Sequence, residues 1–214
     1  GETSNGVIIE NCGNRADVRN TDSKGVGGIV GSAWGDGTIR GCYNTGRIST
    51  TYACPAGGIL GSNEGMDVYN CYSAGTIDTN GVQYGRGIGG HDSGSYTVDG
   101  CWYLAGSDDD PASGGYYNKG TSRKISVSVT AVDQKTLQSE TTIAALNTNG
   151  AVFTADTAGK NGGYPVLWFE TGSRADACQL TQKTAANGAF TVSRTGDVRF
   201  GTSVTLTAQP DAGY

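Results

Sequence analysis

Four of the six cysteines, Cys12, Cys42, Cys71 and Cys101, recur 30, 29 and 30 residues apart. Thiols so spaced could bridge in pairs or line an interior unbridged. On successive strands of a stack, equivalent side chains point the same way at about 4.8 Å separation. A disulfide instead needs its two Cβ atoms turned toward each other. The four are therefore read as buried thiols acting as small hydrophobes. Cys54 and Cys178 lie outside the series, and nothing in the sequence brings them together.

Other reactive groups are sparse. His91 is the single histidine, so no paired-histidine spacing exists to hold zinc. It follows Gly89-Gly90 beside Asp92 and reads as a surface turn residue, since a general base needs a positioned partner. Asp108-Asp109-Asp110 offers oxygen donors for calcium but lacks the spaced acidic pattern and distal Glu of a dedicated loop, so a solvated turn is expected. Glu10, Arg40, Tyr69 and Asp99 share one column without forming the acidic line that a β-helix polysaccharide lyase would use. Gly87-x-Gly89 lacks the Lys-Ser/Thr of a phosphate loop. No catalytic residue, metal ligand or cofactor is assigned.

One binding feature remains. Tyr43, Tyr72 and Trp102 each follow a cysteine and would project outward as a column of rings at one-unit intervals. Such rings can take a sugar face or a protein partner, although stacking that only stabilises the fold explains them too. These three are the candidate ligand-binding residues.

The elements that must position these groups are repeats. Ile39-Arg40-Gly41-Cys42-Tyr43-Asn44-Thr45-Gly46 aligns with Val68-Tyr69-Asn70-Cys71-Tyr72-Ser73-Ala74-Gly75, and with units around Cys12 and Cys101. An aliphatic (Val18, Ile48, Ile77), eight variable residues and a block such as Gly27-Gly28-Ile29-Val30-Gly31 or Gly57-Gly58-Ile59-Leu60-Gly61 follow. A period near thirty, built from short aliphatic runs and glycine corners, predicts a mainly β fold: a parallel β-helix-like solenoid of about four turns, stable only as a stack. Ile39 and Cys42 are three apart, so a straight strand of period two cannot point both inward. A corner or bulge is expected at Arg40-Gly41. From Cys42 the inward positions run through Asn44 and Gly46 to Ile48.

Glycine accounts for 36 of the 214 residues, 26 of them within 1–115, so the composition changes near residue 115. Three regions are expected: 1–115 as the solenoid, 116–172 as its C-terminal cap, and 173–214 as the start of an incomplete β-module. Within the cap, residues 124–129 alternate like one strand. Residues 133–147 read as an amphipathic helix with an acidic start at Asp133 and a stop at Gly150. Tyr164-Pro165-Val166-Leu167-Trp168-Phe169 reads as a buried strand. The runs flanking Gly196-Asp197 read as strands.

A net charge of −5 without a basic stripe excludes a nucleic-acid binder. No run approaches eighteen apolar residues, so no membrane span is expected. Gly1 is not an initiator methionine, and the expectation is a monomeric piece of a longer chain.

The pattern Ile-x-x-Cys-Tyr-Asn-Thr-Gly-x-Ile followed by Gly-Gly-Ile-Val-Gly resembles the GLUG-motif family, over about residues 7–106. Gly13 in the first unit and Arg86 in the third block depart from the pattern. Leu146-Asn147, Phe153, Asp156 and residues 161–167 look like the stretch that closes such arrays. Residues 196–214 look like the opening of a divergent internalin-type repeat. The resemblance implies a bacterial surface or secreted repeat protein with no catalytic residue, hence a non-enzymatic adhesin or a spacer region that meets a host matrix protein or a glycan. The alternatives are a β-helix carbohydrate-active enzyme, and an accessory non-catalytic region of a large secreted peptidase.

Overall fold

The computed structural model describes residues 2–3, 5–22, 24–81, 85–92, 95–107, 115–116, 125–150, 152–171, 177–180, 188–193, 195–199 and 204–211. The Asp108–Asp110 run lies outside them, as does the side chain of His91.

Each thirty-residue unit forms five short strands. After β1 (Glu2–Thr3), the first turn comprises β2 (Val7–Glu10), β3 (Gly13–Asn14), β4 (Val18–Asn20), β5 (Val26–Gly27) and β6 (Val30–Ala33). The second comprises β7 (Gly37–Arg40), β8 (Tyr43–Asn44), β9 (Ile48–Thr50), β10 (Ala56–Gly57) and β11 (Leu60–Asn63). The third comprises β12 (Met66–Tyr69), β13 (Tyr72–Ser73), β14 (Ile77–Asp78), β15 (Gly85–Arg86) and β16 (Gly89–Asp92). Equivalent strands pair in parallel, so that Ile9 meets Ile39, Val18 meets Ile48 and Leu60 meets both Val30 and Gly89. The molecule is therefore a mainly β protein, a solenoid of three complete turns.

The fourth cysteine unit follows the same path among the described residues: the Ile77 N–H donates to the Ser107 carbonyl at 2.7 Å, the Ile88 N–H donates to the Gly115 carbonyl at 2.8 Å, and Tyr116 bridges Gly89 in parallel. Residues Tyr96–Leu104 form one nine-residue strand, β17, which takes the place of the first two strands of a turn and pairs with both β12 and β13. It is then covered by β18 (Ile125–Val132), again in parallel. β18 accompanies β17 through both segments, with a register shift between Val98 and Cys101.

The expected break inside each unit is present and uniform. Asn11, Gly41, Asn70 and Gly100 have φ of 55°, 59°, 50° and 62°, a left-handed conformation open mainly to Gly and Asn. This one reversed residue shifts the strand parity, so that Ile39 and Cys42, and Val68 and Cys71, all reach 0 % exposure. Inside lie the aliphatic file, the thiols and Ile59 and Ile88. A second apolar compartment holds Ile48, Ile77, Val26 and Cys54.

The second glycine of each block has a steric reason. A Cβ on Gly28, Gly58 or Gly87 would come within 2.5 Å of Asn44 Cγ, 2.1 Å of Ser73 Oγ and 2.2 Å of the Tyr103 ring respectively. Asn44, Ser73 and Tyr103 are themselves register partners, so the corner backbone presses directly on the inward side chains.

Beyond β18 come α1 (Gln134–Leu137), α2 (Glu140–Leu146), β19 (Phe153–Thr154), β20 (Val166–Leu167) and a 3-10 turn at Trp168–Glu170. The single expected helix is two, because Ser139 accepts a hydrogen bond from the Thr142 N–H and starts a second cap, as Asp133 does from the Thr136 N–H for the first. The apolar run 164–169 is only partly strand. Val166–Leu167 pairs with β19, after which the chain turns and Phe169 stands 51 % exposed.

Residues 1–171 form one compact unit and 172–214 another. In the latter, β21 (Ala177–Leu180) pairs antiparallel with β23 (Gly196–Arg199), and β22 (Gly188–Val192) with β24 (Leu206–Pro210). Among the described residues, no helix is long and apolar enough to cross a membrane.

Candidate functional site

The aromatic column is built by parity. With Cys42 and Asn44 facing inward, Tyr43 between them must face out, and the same holds for Tyr72 between Cys71 and Ser73. The register then lines Tyr43, Tyr72 and Trp102 along one file. The rings of Tyr43 and Tyr72 stack with centroids 5.4 Å apart and planes 7° apart.

Their surroundings differ from the expectation of an open face. Tyr43 and Tyr72 are 0 % exposed. Leu137, Leu146, Phe153 and Leu167 lie over them, with Trp102 half-buried at the edge. Phe153 meets Tyr72 edge-on, centroids 5.5 Å apart. Residues 133–150 and 152–170 thus lie along the flank of the solenoid, whereas β18 lies over β17 at the end of the stack. The physical reason is area: two adjacent phenol rings are a large apolar surface, and burying an aromatic side chain stabilises by roughly 1.5–3 kcal/mol.

Polar groups close the cover. The Tyr43 hydroxyl donates to Glu170, 3.0 Å from each carboxylate oxygen. Arg15 reaches Glu170 Oε1 at 2.7 Å, and the Leu167 N–H donates to Oε2 at 2.9 Å. The Tyr72 hydroxyl donates to the Pro165 carbonyl and accepts from Asn161 Nδ2 at 2.9 Å. Thr45 Oγ1 then donates to Asn161 Oδ1 at 2.7 Å. Burial, reinforced by Glu170, pushes the Tyr43 phenol well above its ordinary range, and burial does the same for Tyr72. Both stay protonated donors at any physiological pH.

A loop holds Asn161 in place. The Asp156 carboxylate accepts from the N–H groups of Lys160, Asn161 and Gly163 at 2.8, 2.6 and 3.1 Å. Burial alone would raise its pKa, but these three donors outweigh it and the net direction is down. On the solenoid side, Asn70 donates to Thr148 Oγ1 at 2.9 Å and accepts from Asn149 at 2.7 Å.

The thiols form the expected file with one exception. Cys42, Cys71 and Cys101 are buried and free, but Cys12 is free and exposed. It belongs to the first turn, above which, among the described residues, lies β1, and β1 lies over β6. Each thiol lies against the carbonyl two residues before it, at 3.2–3.5 Å. Burial pushes the Cys71 thiol up, away from the reactive thiolate. Cys54 is likewise a buried free thiol, with Sγ 3.1 Å from Thr50 Oγ1 and 3.4 Å from Asn20 Nδ2.

Glu10 and Arg40 pair at 2.6 Å across the outer column, and Arg47 pairs with Asp78 one turn on. Among the described residues no three His, Cys, Asp or Glu side chains approach closely enough to hold a metal ion. Sequence reasoning placed Asn161 and Asp156 in the closing stretch but missed Arg15 and Glu170. Neither lies in a repeating pattern, and they are 155 residues apart.

The GLUG motif model matches residues 22–49. The matched segment runs from the corner before β5 to β9 and contains the Gly27–Gly31 block together with Ile39, Cys42, Tyr43 and Ile48. No curated protein and no solved structure matches the chain. The GLUG motif and the β-solenoid fold together fit a surface or repeat protein.

Proposed function

We propose that this chain is a non-enzymatic spacer module of a bacterial surface protein, extracellular and monomeric, which holds variable corner segments away from the envelope. The observation that carries this reading is the division of labour within each turn. The repeated positions are consumed by the interior, and the outward aromatic file is consumed by the flank cover, while residues 51–53 of the second corner stand exposed without a place in any core cluster. Loops on a rigid scaffold are where recognition is commonly placed. The antiparallel strands between Ala177 and Pro210 fit the start of a further β-module of the same protein, of the kind suggested by the internalin-like residues 196–214.

An adhesive role is the second reading. It is favoured by Trp34 and Tyr52, each 51 % exposed on the first and second turns. Glycan and matrix-protein arrays probed with the purified chain separate the two. A spacer gives no saturable signal, whereas an adhesin gives one that Tyr52→Ala or Trp34→Ala reduces at least tenfold. A carbohydrate-active enzyme would need two carboxyl groups flanking the scissile bond, and turnover of any polysaccharide by the chain would overturn the non-enzymatic reading. A zinc motif elsewhere in the same polypeptide would favour the peptidase-accessory alternative.

A further inference from the structure

We propose that Asn80-Gly81, in the third corner, is a site of spontaneous covalent modification: the Gly81 nitrogen closes on the Asn80 side-chain amide, ammonia leaves, and water reopens the ring as aspartate or isoaspartate. The chain carries five Asn-Gly pairs, at 5–6, 80–81, 149–150, 161–162 and 187–188. Asn187 lies outside the described residues, and the structure sorts the other four. Asn161 is 5 % exposed, its Nδ2 donates to the Tyr72 hydroxyl and the Pro165 carbonyl, and its Oδ1 accepts from Thr45. Asn149 Nδ2 donates to Asn70 Oδ1 at 2.7 Å, and the Gly150 N–H donates to the Asn147 carbonyl at 3.1 Å. At the first pair the attacking nitrogen is held, because the Gly6 N–H donates to the Asp36 carbonyl at 2.9 Å. Asn80 and Gly81 differ from all three. Both are exposed, and among the described residues neither the Asn80 side-chain amide nor the Gly81 N–H makes a hydrogen bond. A Cβ built on Gly81 would meet nothing within 4 Å.

The reaction needs no partner but solvent. The Gly81 nitrogen gives up its proton and bonds to Asn80 Cγ, while the Cγ–Nδ2 bond breaks and Nδ2 leaves with that proton as ammonia. One water then opens the five-membered imide. Breaking the new N–Cγ bond gives aspartate, and breaking the bond from the nitrogen to the Asn80 main-chain carbonyl carbon gives isoaspartate. Glycine has no Cβ to obstruct the approach, and φ of 55° at Asn80 and 81° at Gly81 sets the pair in the tight left-handed turn that Asn-Gly favours. An exposed turn also opens locally at little cost. The product alters the corner and spares the interior. Asp78 Oδ1 accepts from the Asn80 N–H at 3.0 Å, and Oδ2 pairs with Arg47 of the second turn. A carboxylate at position 80 sets a second negative charge beside this pair, and isoaspartate lengthens the main chain by one methylene. Ile77 on the inward side is 3 % exposed. The third corner therefore differs in charge and shape between newly made and aged protein.

The test incubates the folded chain at mildly alkaline pH and follows each Asn-Gly pair by peptide mapping and mass spectrometry. Conversion at Asn80 should run at least about tenfold faster than at Asn149 and Asn161, because folding withholds the reaction where the groups are tied or buried. Asn5 should also convert more slowly than Asn80. In urea, where the chain unfolds, the rates should converge. The rate at Asn80 should rise with pH, since the attacking nitrogen must lose its proton. Gly81→Ala should slow it while the far-ultraviolet circular dichroism stays unchanged. Equal rates at Asn80, Asn149 and Asn161 in the folded chain overturn the proposal. So does an Asn80 that persists intact in the folded chain after the urea-unfolded chain has converted.

Discussion

Cys71 and Tyr72 are neighbours in sequence, yet their files are sealed by different means. The thiol file is closed by its own repeat, the Cys42 and Cys71 sulfurs each lying between equivalents one turn above and below, with Val129 of β18 beside Cys101. The tyrosine file is closed by a segment with no period, brought back from 65 to 124 residues downstream. A repeated position can therefore be buried by repetition alone only if it faces inward. The same repetition on the outside makes a stripe that needs an unrelated cover.

The widest separation between the files should come from Tyr72→Ala. It removes a stacked ring and the hydroxyl that ties Asn161 to Pro165, and losses of about 3–5 kcal/mol are usual for buried aromatic truncation. Hydrogen exchange should rise across residues 133–170 while Cys71 stays unreactive. If Cys71 becomes reactive in step, the two files are one cooperative unit and the contrast fails.

Gly58→Ala attacks the inward side instead. Its methyl would sit 2.1 Å from both the Gly87 carbonyl and Ser73 Oγ, and overpacking of this kind costs roughly 1–3 kcal/mol. Urea denaturation should show the loss, with Tyr43 and Tyr72 fluorescence unchanged in the native baseline. Cys71→Ala should cost less, about 1 kcal/mol, since it deletes a single heavy atom from a filled file.

The smallest effect concerns acid. The pKa of Asp156 is lowered in the folded protein by the three N–H donors of its loop, below the ordinary carboxylate value of 3.8. Its contribution is complete above that value and fades as the pH falls through the lower folded pKa. Thermal melts should therefore show a shallow loss of stability below pH 4, confined to the flank cover, that Asp156→Asn removes.

The same contrast explains what was legible. The period, the break at Arg40-Gly41 and the inward run from Cys42 to Ile48 follow from parity, which sequence displays directly. The alternation at 124–129 showed most of the strand Ile125–Val132 for the same reason. The Cys101 unit was legible in the same way: Val98 and Trp102 take the register of Val68 and Tyr72, and what the period did not show is β18, a partner outside it that covers β17. The exposed aromatic face was misjudged because Glu170, Arg15 and Phe153 are single residues at irregular separations, whose meeting depends on how the cover folds back.

The five cysteines with described side chains are all free. Cohesion of the stack thus owes nothing to covalent cross-links, and its strength should be the same in a reducing cell interior and an oxidising exterior. A protein so built can complete its folding on either side of a membrane without an oxidoreductase, and loses no rigidity when its surroundings turn anaerobic.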